Sequence, residues 1–235
     1  MRTRQKISLL LKLSIGILSL LGTVLACLRY EVDGYSHWHK RLLYFTQLSN
    51  IWIGVLSLFI VIATLCCKHR RKDLIGPRTY LLRYVFTVSI ALTGLIFCAL
   101  LAPFAGDDYN AWTFPSLLTH VAVPLLAIAD FFVDDFPFQI KKTHTVWALI
   151  PPFLYFVFAS ILGFCQVDFG RGDPYPYFFM NLRSRAGVFG FYYEAGQRPE
   201  LGLIYWLIFL LLIIFGIAML FYKLHPLTPK RLKKH

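Results

Sequence analysis

Leu43-Tyr44-Phe45-Thr46-Gln47-Leu48-Ser49-Asn50 places polar side chains at the head of an apolar run that continues to Cys66. That run is long enough to cross a bilayer, so hydroxyl and amide groups sit where hydrocarbon is expected. Such groups are costly in lipid unless they find partners, so they should turn toward other helices or a wet cavity. Thr46 and Asn50 are four residues apart and share a helical face, which Gly54 and Ser57 continue. The partner that the sequence offers for this face is His120, in a later apolar run.

Composition agrees with a membrane setting. Of 235 residues, 57% are hydrophobic and 15% charged, whereas soluble domains carry about a quarter charged residues. The formal charge of +12 does not point to nucleic acid, because no aromatic-basic reading surface or motif accompanies it. The basic residues instead cluster between apolar spans, as orientation signals do. The cysteines lie in or at the ends of these spans, with no zinc or disulfide spacing. They read as small apolar packing residues, with palmitoylation of Cys66-Cys67 beside the basic loop as the weaker alternative.

The spacing predicts one all-α domain of six transmembrane helices at about 7–28, 43–67, 79–102, 114–133, 144–165 and 201–222, each near the ~20 residues a span requires. The first run could be read as a signal peptide, and Val24-Leu25-Ala26-Cys27 resembles a lipoprotein cleavage site. It is longer than the usual h-region, however, and further spans follow. Lys12 interrupts it close enough to the end to snorkel to the interface. Pro151-Pro152 should kink the fifth span.

Fifteen Lys and Arg fall on the side of the N-terminus, the 68–78 and 141–142 loops and the tail, against seven on the other side. Both termini are therefore expected in the cytoplasm, with the protein multi-pass in the cell membrane. The connection 166–200 is rich in Tyr and Phe, including Tyr175 and Tyr177, and reads as an aromatic cap on the outer surface.

On this topology Thr46 and His120 enter from the same side, at roughly 5 Å and 9 Å below their helix starts. A neutral imidazole beside a hydroxyl can take its proton and make it a nucleophile. Ser49, Asn50 or nearby backbone N–H groups are candidate oxyanion donors. Ser116 and Ala127 share the His120 face and would line a gap. A structural alternative stands beside this one: such a Thr commonly bonds its own preceding carbonyl, and a lone His can bridge helices. Asp130, near the inner end of its span, has Arg83, Lys141 or Lys142 as candidate partners. His37-Trp38-His39 is a weak metal signal without further ligands, and no metal or cofactor is expected.

Tyr44-Phe45-Thr46-Gln47-Leu48-Ser49-Asn50, Leu118-Thr119-His120-Val121-Ala122-Val123-Pro124 and Tyr175-Pro176-Tyr177-Phe178 resemble motifs of the bacterial Pr6Pr family of six-helix membrane proteins. More distantly, they are similar to the vertebrate androgen-induced and androgen-dependent membrane threonine hydrolases, which cleave fatty acid esters of hydroxy fatty acids. The resemblance implies Thr46 as nucleophile and His120 as base. Where the vertebrate proteins carry a second His three residues ahead of the catalytic one, this chain has Leu117, and where they have Glu it has Asp130.

The expectation is thus a lipid ester hydrolase with its site in the outer leaflet, its substrate a membrane lipid or lipid-like ester. The rival is a transporter or lipid-binding scaffold without chemistry. A transporter predicts a through-going polar path, whereas the intramembrane polar groups look concentrated at one depth. Nothing in the sequence indicates an oligomeric state.

Overall fold

The computed structural model describes residues 3–66, 75–103, 110–134, 138–195 and 200–225. Six helices within them are long and apolar enough to cross a membrane: α1 (Thr3–Leu28), α2 (Phe45–Cys66), α3 (Pro77–Leu101), α4 (Phe114–Val133), α5 (His144–Phe164) and α6 (Leu203–Leu224). The expected multi-pass helical bundle is present. A two-residue antiparallel pair, β1 (Phe191–Tyr192) with β2 (Glu200–Leu201), accompanies it. Cys67, the basic loop 68–72, the 106–108 loop, Asp135, Arg198 and the basic tail beyond His225 lie outside the described residues.

α3 is the hub, packing against α2, α4, α5 and α6, and its Tyr84, Val88 and Ile90 are fully buried. Small residues let the helices approach, since packing rather than lipid exclusion holds helices together in a bilayer. A Cβ on Gly54 of α2 would collide with Ser19 of α1. One on Gly94 of α3 would stand 3.0 Å from the His120 carbonyl oxygen and from Pro124 of α4.

Two spans depart from regular α geometry. α3 ends in a π-helical segment, Phe97–Leu101, and α4 carries another, Leu118–Ala122. Pro124 has no N–H to give the His120 carbonyl, so the ladder around it loses an ordinary i→i−4 bond. The Val123 N–H instead reaches the Leu118 carbonyl. The extra residue in that turn rotates the rest of α4, and Ala127 packs into an apolar cluster rather than onto a gap beside His120. In α5 the expected proline kink takes a different form. The helix breaks at Ala148-Leu149 and resumes at Ile150, so Pro151 and Pro152 occupy a first turn, where missing N–H groups cost little.

Lys12 does not snorkel. It is 3% exposed, with its Nζ 3.0 Å from Asp130 and 2.9 Å from Asp134. Arg83 completes the square at 2.6 Å from Asp130 and 2.8 Å from Asp134. Ser8 Oγ donates to Asp130 at 2.6 Å. Asp130 therefore takes Arg83, one of its expected partners, together with Lys12. The buried polar groups are therefore not concentrated at one depth, and buried Ser19, Ser57, Thr87 and Ser89 are spread along the helices as well. Between the charged square and the Thr46 stretch packs an apolar cluster of Ile15, Ile53, Ile90, Val123 and Ala127.

The 166–200 connection does more than lie on the surface. Phe169, Phe179 and Met180 are buried in the mouth of the bundle, while Phe189, Phe191 and Tyr193 are exposed. Asp168 pins its turn by accepting from the N–H groups of Gly170 and Gly172 at 2.7 and 2.8 Å. Partial burial opposes ionisation there, but these N–H groups, Ser36 and Lys40 outweigh it and hold the carboxyl below its usual range.

Candidate active site

Thr46 is the second residue of α2, and His120 lies in the π-helical turn of α4. Thr46 Oγ1 and His120 Nε2 are 3.2 Å apart. The other ring nitrogen, Nδ1, is 3.0 Å from the Ser116 carbonyl oxygen, 3.1 Å from Thr119 Oγ1 and 3.2 Å from Ser116 Oγ. A carbonyl has no hydrogen to give, so the nearest of these contacts requires the proton on Nδ1. Thr119 Oγ1 is compatible with this, because it donates to the Pro115 carbonyl at 3.0 Å and can accept from the imidazole. Nε2 then carries the lone pair and accepts from the Thr46 hydroxyl. Phe97 stacks on the His120 ring, with centroids 3.9 Å apart and planes at 23°. The imidazole is thus held by a main-chain carbonyl at one edge and an aromatic face at one side.

Ser49 and Asn50 come close to this pair but serve a different purpose from the oxyanion role considered for them. Asn50 Nδ2 donates to the carbonyls of Thr46 at 2.8 Å and Thr119 at 3.0 Å. Both amide hydrogens are therefore committed, and they fasten α2 to α4 beside the pair. Ser49 Oγ lies 3.0 Å from the Thr46 carbonyl and 2.9 Å from Thr93 Oγ1, tying α2 to α3. Tyr177, from the 166–200 connection, comes nearer the nucleophile position: its hydroxyl accepts the Thr46 N–H at 3.4 Å. Burial pushes its phenol up to about 12, so it keeps its proton at neutral pH and remains a donor.

A cavity of about 360 Å³ opens on Thr46 and His120. Its walls include Ser116, Tyr175 and Tyr177, together with Tyr44, Arg41 and Gln47. Gln47 is 5% exposed and its Oε1 has no hydrogen-bond partner among the described residues. At the rim, Arg41 and Arg171 lie 4.5 and 4.6 Å from the centroid of the Tyr35 ring. Arg41 also pairs with Asp33 at 2.8 Å.

The sequence did not single out Gln47 or Phe97 for the site. Gln47 carried a signal, as an amide in the polar stretch that opens α2. Phe97 carried none, because its place over His120 depends on the rotation of α3 and on both π turns. The His37 and His39 rings lie 5.3 Å apart. Among the described residues no three His, Cys, Asp or Glu gather to hold a metal ion.

Chemically, the arrangement offers a hydroxyl with a base on it, a neutral phenol donor beside it, and room for a carbonyl above it. Compared with known proteins, the chain matches no family model, no curated protein and no solved structure.

Proposed function

We propose that this protein is a membrane lipid ester hydrolase with Thr46 as nucleophile and His120 as general base. The observation that carries the reading is the Thr46 Oγ1–His120 Nε2 contact of 3.2 Å, with Nδ1 turned to the Ser116 carbonyl at 3.0 Å. That arrangement leaves the basic nitrogen facing the hydroxyl, as nucleophilic catalysis requires. The motif resemblance to the Pr6Pr proteins and the membrane threonine hydrolases points the same way.

In the first step the Thr46 proton passes to Nε2 while Oγ1 bonds the ester carbonyl carbon. The developing oxyanion takes a hydrogen bond from the Tyr177 hydroxyl, which the Thr46 N–H holds in place. The C–O bond to the alcohol then breaks, and the alcohol leaves with the proton held on His120. Water attacks the acyl-Thr46 ester, giving a proton to His120, and the acid departs as Thr46 recovers its hydrogen. Gln47 Oε1, an acceptor in the cavity wall without a partner among the described residues, is suited to hold that water.

The Lys and Arg imbalance supports an orientation with both termini cytoplasmic in the cell membrane, which puts the site in the outer leaflet. The buried apolar packing of Ile15, Ile53, Ile90, Val123 and Ala127 between the two clusters weighs against a wide polar transport path. A lipid-binding scaffold would keep the cavity but leave Thr46 inert, so a fluorophosphonate probe separates the readings. Labelling is expected on wild type and lost in Thr46→Ala. Labelling that survives Thr46→Ala would remove Thr46 as nucleophile.

A further inference from the structure

A second, narrower cavity of about 70 Å³ meets the first at Thr46, and Leu101 and Tyr177 also border both. The two differ in chemistry. The larger one has Arg41, Gln47, Asp173 and several hydroxyls in its wall. Apart from Thr46, Thr93 and two tyrosines, the smaller one is walled by apolar side chains from four helices and the 166–200 connection. Leu92 and Ile96 come from α3, Tyr155 and Phe156 from α5, and Leu207 and Ile214 from α6. Ile214 is buried at its far end, whereas Pro152, Leu207, Leu210 and Leu211 are only half-buried on the lipid-facing side. From Leu207 to Ile214 the chamber follows α6 for roughly 10 Å at 1.5 Å per residue.

We infer that this chamber is the acyl-chain site: the fatty acyl half of the ester enters from the bilayer between α5 and α6 and lies against Leu207–Ile214, while the alcohol half and water occupy the polar cavity. The inference rests on the reading of Thr46 as nucleophile. The physical reason is continuity. An ester carbonyl at Thr46 Oγ1 has one substituent on each side, and here one side is apolar and open to lipid while the other is polar. An acyl chain loses nothing by passing from bilayer to such a wall, whereas a polar alcohol would lose its partners there. The two walls on either side of Thr46 thus favour an ester with an apolar acyl half and a polar alcohol, presented from within the membrane.

The test uses full-length Thr46→Ala protein in phosphatidylcholine nanodiscs and an octanoic acid carrying a diazirine at mid-chain, so that labelling needs no turnover. Crosslinks are expected to concentrate on Leu207, Leu210, Leu211 and Met180. In Leu211→Trp, whose indole fills the chamber, this labelling should fall about ten-fold, the scale of losing two buried methylenes. Labelling that centres on Tyr35 and Arg171 would overturn the inference. So would labelling spread evenly over the lipid-facing Phe209, Leu212 and Leu220, or undiminished in Leu211→Trp. The hydrolase reading fails separately: a chamber that labels in a protein inert to fluorophosphonate keeps the acyl site and removes the chemistry.

Discussion

The protein buries two polar clusters at opposite ends of one four-helix core, and they are built on opposite principles. At one end Lys12, Arg83, Asp130 and Asp134 form a closed square in which each cation meets both carboxylates. At the other, Thr46, His120, Ser116 and Thr119 are neutral groups facing a cavity, backed by Ser49 and Asn50, and Gln47 Oε1 and Asn50 Oδ1 have no hydrogen-bond partner among the described residues. Buried charge must be fully paired because an isolated ion in low dielectric is very costly. Neutral amides and hydroxyls can be left partly unsatisfied at a smaller penalty, and those are the groups available to a ligand. The charged square holds helices together; the neutral cluster holds a hydroxyl ready.

Substitutions can break that contrast. The largest effect is expected at His120: His120→Gln keeps a polar side chain but loses the base, and ester turnover should fall by about 10²–10⁴. Unfolding temperature measured alongside should move little, which separates chemistry from folding. At the other end the pattern inverts. Asp130→Ala leaves Lys12 and Arg83 sharing one carboxylate and should destabilise by about 3–5 kcal/mol, read by thermal unfolding in detergent. Removing a whole pair with Lys12→Met and Asp134→Leu should cost much less than Asp130→Ala, because the Arg83–Asp130 pair remains balanced. If the double variant is as unstable as Asp130→Ala, the square does more than neutralise charge.

Tyr177→Phe sharpens the site end. It removes one hydroxyl from beside Thr46, and the acylation rate should drop about 10²-fold, the low end for an oxyanion donor. Ground-state binding of a non-hydrolysable ether analogue should stay near wild type. The smallest effect concerns the loop that delivers Tyr177. Asp168 has a carboxyl held below its usual range, so its contribution is present above the unfolded value of about 4 and is lost as pH falls through the folded one. Protection factors at Gly170 and Gly172, corrected for intrinsic exchange, should fall on that descent, and Asp168→Asn should abolish that fall.

Much of this was legible along the chain. Six spans follow from apolar runs of the right length, and Thr46 and His120 stand out because hydroxyls and imidazoles inside such runs require a reason. Their similar depth follows from counting residues at a fixed helical rise. Lys12 shows where counting stops: its distance from the helix end allowed snorkelling, but two carboxylates near the end of α4 gave it nearer partners than the interface.

The sequence by itself determined the membrane architecture and the residue types available for chemistry, because hydrophobic length and polar content are properties of each helix alone. The Ser116 carbonyl that sets the tautomer is a local neighbour, four residues back on α4, but tertiary structure alone decided Phe97 over the imidazole and the junction of two cavities at Thr46. Each depends on how helices rotate against one another, and here two π turns and a glycine contact between α3 and α4 set that rotation. A one-residue change in helical register turns a side chain by about 100°, and no property of the residue itself records it.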